Sequence, residues 1–303
     1  MKNTAKYQEE AVVTVGTMNL TYDSFGDPAA PPLLLIMGLG GQLVLWPEEF
    51  CMRLATRGFW VIRYDHRDVG LSTHCDGETV PDIDALEGAL ARGEPVEVPY
   101  TLYDLADDAV GLLDALGIVT AHVVGTSMGG RIVQILAIKY PHRLKTATSI
   151  VSHTGAPGFP PPNPETLEAL RETVPEYREG YIAYCLRMSR LMAGPVFAPD
   201  EAGACERAGR AYDRAFYPDG VMRHYAAYVG TGSVREELKE LTVSLLIIHG
   251  TQDPLVSPEC ARDMAGITPG ATLEMIDGMG HAVGDVPAVW SRVIDAVAAH
   301  ARK

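Results

Sequence analysis

Three residue types in this chain can combine into nucleophilic catalysis. Ser127 lies in Gly125-Thr126-Ser127-Met128-Gly129, a G-x-S-x-G segment between the apolar run AHVVG and the amphipathic run GRIVQILA. So sharp a turn from strand to helix needs small flanking residues, and it lifts the serine above the sheet on strained backbone. The helix behind it aims unpaired N–H groups and its positive dipole end at the same point. A serine hydroxyl stays a weak nucleophile until a neighbouring base takes its proton. Among nine histidines, His281 is best placed for this, in the glycine-rich loop Gly278-Met279-Gly280-His281 after an apolar strand. Asp253, in Gly250-Thr251-Gln252-Asp253-Pro254 after SLLIIHG, is the carboxylate that would orient it. Alone, an Asp-Pro is an ordinary turn and a Gly-His an ordinary loop. Three such residues at strand carboxyl ends, in the order nucleophile, acid, histidine, read as one catalytic set.

Hydrolysis by such a set passes through a tetrahedral oxyanion, which needs preorganised donors. The N–H of Met128, directly after the nucleophile, is one. The second is expected from the loop Met37-Gly38-Leu39-Gly40-Gly41, at the N–H of Leu39, with Gly38 beside it. His153 and His249 read as structural or pocket-lining. Tyr177, Tyr181, Tyr184, Met188 and Met192 form a stripe at helical spacing, whose ordinary reading is core packing. Tyr181, Tyr184 and Met188 are also candidate pocket walls, as is Trp46. Few charges fall among them, which favours an uncharged substrate. Gly125–Gly130 has the glycine spacing of a P-loop, but Arg131 and Ile132 stand where Lys and Ser/Thr are required. Gly38-Leu39-Gly40 fails as a dinucleotide fingerprint because position 43 is Leu. No metal or organic cofactor is called for.

The elements that must position these residues can be read in order. Ala11–Val15 and Leu20–Phe25 form a hairpin about Gly16. Strands are expected at Pro32–Met37, Trp60–Tyr64, His122–Gly125, Ala147–Val151, Val243–His249 and Thr272–Ile276. Helices are expected at Pro47–Ala55, Leu102–Leu116, Gly129–Tyr140, Pro258–Ile267 and Pro287–Ala301. Thr101 with Asp104 makes a capping pair, and Ser257-Pro258 is a good helix start. An extra helix is expected around Ile83–Arg92. After GAPGFPPPNPET, three or four helical patterns run to about Arg235 without a strand. Strand–helix alternation with near-continuous apolar strands means a parallel sheet covered on both faces. The helical block would sit over the strands' carboxyl ends, where open α/β sheets bind ligands. The chain divides into a core of residues 1–154, a helical cap of 155–236 and a second core part of 237–303.

Composition sets outer limits. The chain has 303 residues, 47% hydrophobic and 21% charged, ample for one large domain with an insertion. With 25 Lys and Arg against 39 Asp and Glu, its net charge is −14, which disfavours a nucleic-acid partner. Five dispersed cysteines, with no C-x-x-C pair, support neither a disulfide framework nor a zinc site. The N-terminus MKNTAKYQEE lacks the apolar run of a signal peptide. Pro28–Pro47 is uncharged over 20 residues, but four prolines and three glycines make it a strand and loop, not a membrane span. A cytoplasmic location is expected. No oligomeric state follows, since apolar cap surfaces serve lids and interfaces alike.

The segments LLLIMGLGGQLVLWPEEF, VIRYDHRDVGLST, AHVVGTSMGG, LLIIHGTQDPLV and GMGHAV resemble the α/β-hydrolase superfamily over nearly the whole chain. More narrowly, the chain is similar to lid-bearing serine esterases that include aclacinomycin-type methylesterases. The resemblance implies an α/β-hydrolase fold, a mostly parallel doubly wound sheet with an inserted helical cap. It implies Ser127, Asp253 and His281 as the triad, and structural roles for Asp65, Arg67 and Ser72. The chain departs from many relatives in having Met37-Gly38 for His-Gly and Asp68 for Gly. The expected function is a serine carboxylesterase acting on small to medium uncharged esters through an acyl-enzyme. A methylesterase or a C–C bond hydrolase on the same triad is the alternative. A non-catalytic small-molecule receptor is the reading from another class.

Overall fold

The computed structural model describes residues 6–302. Met1–Ala5 of the polar N-terminal segment, and Lys303, lie outside the described residues. The chain runs β1 (Tyr7–Val15), β2 (Met18–Phe25), β3 (Pro32–Ile36), α1 (Glu48–Thr56), β4 (Trp60–Tyr64), α2 (Ile83–Ala91) and α3 (Leu102–Ala115). It continues through β5 (Ala121–Thr126), α4 (Met128–Lys139) and β6 (Leu144–Ile150). Four helices follow: α5 (Pro164–Leu170), α6 (Arg178–Ala193), α7 (Glu201–Arg214) and α8 (Pro218–Gly230). Then come β7 (Leu245–Gly250), α9 (Pro258–Ile267), β8 (Thr272–Ile276) and α10 (Pro287–His300).

The eight strands form one sheet in the order β1-β2-β4-β3-β5-β6-β7-β8. Only β2 runs against the rest. Side-chain alternation sorts the core into two layers. Leu34, Ile36, Val123 and Ile247 pack with α3, α4 and α9, whereas Leu33, Leu35, Val124 and Ile248 pack with α1 and α10. Both faces of the central strands are therefore buried, which is why those strands are apolar throughout. From β3 the chain moves to β4 on one side, and it later returns to place β5 on the other side of β3. The strand order therefore reverses at β3, and the carboxyl ends of β3 and β5 lie side by side at that switch point.

Several boundaries differ from the sequence reading, and the differences are physical. Strand β6 begins at Leu144, three residues before the expected Ala147, because Leu144 and polar Thr146 still pair with β5, with Lys145 at a bulge between them. It stops before Val151, whose φ of +44° cannot continue a strand. Asp68 also has a positive φ, +63°. Its carboxylate accepts from Cys75 N–H (2.6 Å), the Tyr100 hydroxyl (2.7 Å) and Arg223 (2.9 and 3.0 Å), which offsets the strain of a non-glycine residue there. Asp65 accepts from Leu43 N–H, Leu71 N–H and Arg214, and Ser72 Oγ donates to the Asp65 carbonyl. Arg67 pairs with Asp108 at 2.6 Å. These residues brace the turn after β4 against the loop after β3.

Burial holds four histidines neutral. It pushes His66 down to about 3, and His122, His153 and His224 to about 4. The unfolded chain would titrate them near about 6.5, so it binds more protons than the fold below that pH. Stability should fall as pH drops from about 6.5 to about 4, with unfolding taking up more than one proton and approaching about four. Urea titrations across that range measure this slope directly, and a flat stability would contradict it.

Candidate active site

Ser127 sits between β5 and α4 with φ +54° and ψ −119°, a conformation that costs about 1–3 kcal/mol. Its neighbours hold it there. Ser127 N–H donates to Ile150 O at 2.9 Å, and its carbonyl accepts from Gly130 N–H at 2.9 Å and Ser152 Oγ at 2.8 Å. The start of α4 lies against the end of β3. A Cβ at Gly129 would stand 2.2 Å from Ile36 O, so no other residue fits without moving backbone.

Asp253 and His281 meet above β7 and β8. Register pairs Gly250 with Ile276, and the following loops are tied by Thr251 N–H to Ile276 O and Gln252 N–H to Met279 O. Asp253 Oδ1 accepts from Leu255 and Val256 N–H, both at 2.9 Å. Its Oδ2 faces His281 Nδ1 at 2.8 Å and His249 Nε2 at 3.2 Å. Burial alone would raise this carboxyl. The His281 charge and the hydrogen bonds from both histidines outweigh burial and hold it well below the usual carboxylate range. An ionised Asp253 fixes the His281 proton on Nδ1, so Nε2 presents its lone pair. The His281 ring is 10% exposed. Its backbone N–H donates to Met192 O of α6 at 2.6 Å, so the inserted helices hold the histidine loop. Ser127 Oγ and His281 Nε2 are not hydrogen-bonded to each other here; the structure joins acid to histidine but leaves that link open.

The loop after β3 lies on the other side of Ser127. A Cβ at Gly38 would be 3.3 Å from Ser127 Cβ, so this loop touches the nucleophile. Gly41 N–H closes a turn to Gly38 O at 3.1 Å, with Gly40 at φ +65°. Gly40 N–H goes to His224 Nδ1 of α8 at 3.3 Å. Neither Leu39 N–H nor Met128 N–H donates to an acceptor among the described residues. Two amides without a partner beside one serine are free to donate to an oxygen held there. No cluster of His, Cys, Asp and Glu able to hold a metal ion occurs among the described residues.

The pocket expectations fare less evenly. Trp46 is 2% exposed and stacked on Phe50 in the core, with ring centroids 5.5 Å apart, so it presents no surface to a ligand. Its place after the glycine loop suggested a wall, but α1 and α10 close over it. Tyr181 packs its ring on Tyr212 and Phe216, each at 5.6 Å, joining α6 to α7. Tyr184 lies under the Arg187 guanidinium. Met188 is half-buried on the same helix. His249 is fully buried and braces Asp253 and Val256 O, while His153 contacts the Tyr228 hydroxyl. Sequence reasoning missed the Met192 carbonyl and His224. A carbonyl carries no side-chain signal, and His224 stands in no motif.

The α/β-hydrolase fold family profile matches residues 31–287. The rhodomycin D methylesterase of Streptomyces peucetius is 32% identical, with 96% of this chain and 97% of that protein aligned. Its counterpart from Streptomyces sp. strain C5 is 33% identical at the same coverage. Among solved structures, the 2-hydroxy-6-oxo-6-phenylhexa-2,4-dienoate hydrolase of Rhodococcus sp. strain RHA1 superposes with TM-score 0.74 at 21% identity. That match covers 99% of this chain and all of that one. The doubly covered sheet, the elbow at Ser127 and the near full-length match agree: this chain belongs to the α/β-hydrolase fold family and is a methylesterase-like hydrolase.

Proposed function

We propose that the protein is a serine carboxylesterase that hydrolyses small to medium uncharged esters through an acyl-enzyme. The observation that carries this reading is the Asp253–His281 pair. Its imidazole keeps Nε2 free at the same sheet end as a strained serine and two unpartnered N–H groups. On substrate binding, Ser127 Oγ attacks the ester carbonyl while His281 Nε2 takes its proton. The oxyanion lies between the N–H groups of Leu39 and Met128. His281 then protonates the departing alcohol, and a water activated by the same histidine releases the acid. Asp253 stabilises the imidazolium without itself becoming protonated.

Residues 155–236 act as the cap over this site, between core parts 1–154 and 237–303. The Met192 carbonyl on the histidine loop supports that role. Five free cysteines support a cytoplasmic location. No helix among the described residues is long and apolar enough to cross a membrane. A serine at the elbow favours an acyl intermediate over the alkyl-enzyme chemistry of relatives with aspartate there. A second reading, a methylesterase, is favoured by the two rhodomycin D methylesterases aligned over nearly the whole chain.

Initial rates on p-nitrophenyl esters from acetyl to dodecanoyl test the leading reading. Ser127→Ala should abolish turnover, and Asp253→Asn should lower kcat by about 10⁴ because it leaves the wrong histidine tautomer. Full activity in the Ser127→Ala protein would sink the assignment. Ser127→Gly should melt higher than wild type while being inactive, since glycine adopts φ +54° without strain; a lower melting temperature would contradict the strain argument. Methyl esters cleaved far faster than longer alkyl esters of the same acid would decide for the methylesterase, and equal rates would decide against it.

A further inference from the structure

Helix α8 meets the turn after β3 at His224. Within the Gly38–Gly41 turn, Gly41 N–H is satisfied by Gly38 O and Leu39 N–H is left open. Gly40 N–H has no backbone acceptor and donates to His224 Nδ1 at 3.3 Å. The other ring nitrogen, His224 Nε2, donates to Arg67 O at 2.8 Å. One nitrogen accepting and the other donating requires the neutral ring with its proton on Nε2, because an imidazolium has no lone pair to offer. His224 is fully buried, which keeps it neutral down to about pH 4.

The helix that carries His224 is itself fixed at both ends. Near its start, Arg223 grips Asp68 with two hydrogen bonds, and Gly220 comes so close that a Cβ there would stand 2.0 Å from Asp68 O. Val221 packs directly on Gly40. At the far end, Arg131 of α4 takes the carbonyls of Tyr228 and Gly232. The His66 ring lies edge-on to His224 at 5.7 Å, and its Nε2 bonds Met37 O at 3.2 Å. The segment Met37–Gly40 is therefore tied at its start by a core histidine and at its end by one from the insertion.

We infer that His224 is a positioning residue for ester hydrolysis: by accepting the Gly40 amide it holds the Leu39–Gly40 peptide so that Leu39 N–H stays aimed at the oxyanion. This rests on the assignment of Leu39 and Met128 as the oxyanion donors. Without that acceptor, the Gly40 amide must rotate toward another partner. Glycine at φ +65° permits the rotation, and the Gly38–Gly41 turn then loses the anchor that fixes the preceding peptide, the one that bears Leu39 N–H.

The test compares His224→Leu, His224→Asn and His224→Gln with wild type on the best p-nitrophenyl ester at mildly alkaline pH. It also measures inhibition by a trifluoromethyl ketone, which forms a tetrahedral adduct with the serine. His224→Leu should lower kcat by about 10², the scale expected of a misplaced catalytic group, and leave KM within about threefold. Ketone affinity should weaken in step with kcat. Asparagine places Oδ1 near the Nδ1 position and should restore most activity. Glutamine reaches only toward Nε2 and should not. A folded His224→Leu protein with kcat within about threefold of wild type would overturn the inference, as would a loss carried by KM. Equal behaviour of the Asn and Gln variants would do the same, and that pair decides alone should the Leu variant not fold. A wild-type protein without esterase activity would instead overturn the esterase assignment and this inference with it.

Discussion

Helix α4 starts directly against the end of β3, and the rest of the arrangement follows from that close backbone approach. With no side chain at Gly129, the first turn of the helix sits against the Ile36 and Met37 carbonyls. That contact leaves no room for a gradual turn between β5 and α4, so Ser127 takes up a positive φ. It also brings Met128 N–H, Gly38 and the serine to one point. A helix starting one residue later would relax Ser127 and separate these groups. The strain and the placement have the same cause.

Around that point the structure satisfies buried polar groups from several directions. Asp65 ties the loop after β3 to Arg214 of α7, Asp68 ties the turn after β4 to Arg223 of α8, and Arg131 holds the far end of α8. Each pair joins the inserted helices to the sheet. Buried ion pairs add little net stability, because desolvation cancels much of their attraction, but breaking one by removing a partner is costly. Their effect is therefore to specify a single docking of the insertion. The same docking puts the Met192 carbonyl on the His281 loop and His224 on Gly40. The four helices between β6 and β7 are thus tied to the sheet at several polar points.

Much of this was legible in the residues. The elbow carries a local signature, because the turn's steric demand falls on Gly125 and Gly129 themselves. Strands β3, β5 and β7 show as apolar runs because both of their faces are covered, and the capping pair Thr101–Asp104 appears with Thr101 N–H donating to Asp104 Oδ2 at 2.8 Å. The start of β6 was less visible, since a central ladder bonds backbone whatever the side chains are. Trp46 is hard to place for a related reason: its neighbours in sequence belong to the loop after β3, while its ring stacks on Phe50 of α1.

The sequence by itself determined the fold class, the glycine loop Met37–Gly41 and the candidacy of Ser127, Asp253 and His281, because each rests on local sterics and periodicity. Only the tertiary structure decided that His249 shares the carboxylate of Asp253, that a carbonyl of α6 holds His281 and that His224 completes the turn at Gly40. The last two are contacts between residues far apart in the chain, made through a backbone carbonyl and through a histidine in no motif. Their partners are chosen by how the insertion docks, and nothing in the local sequence records that.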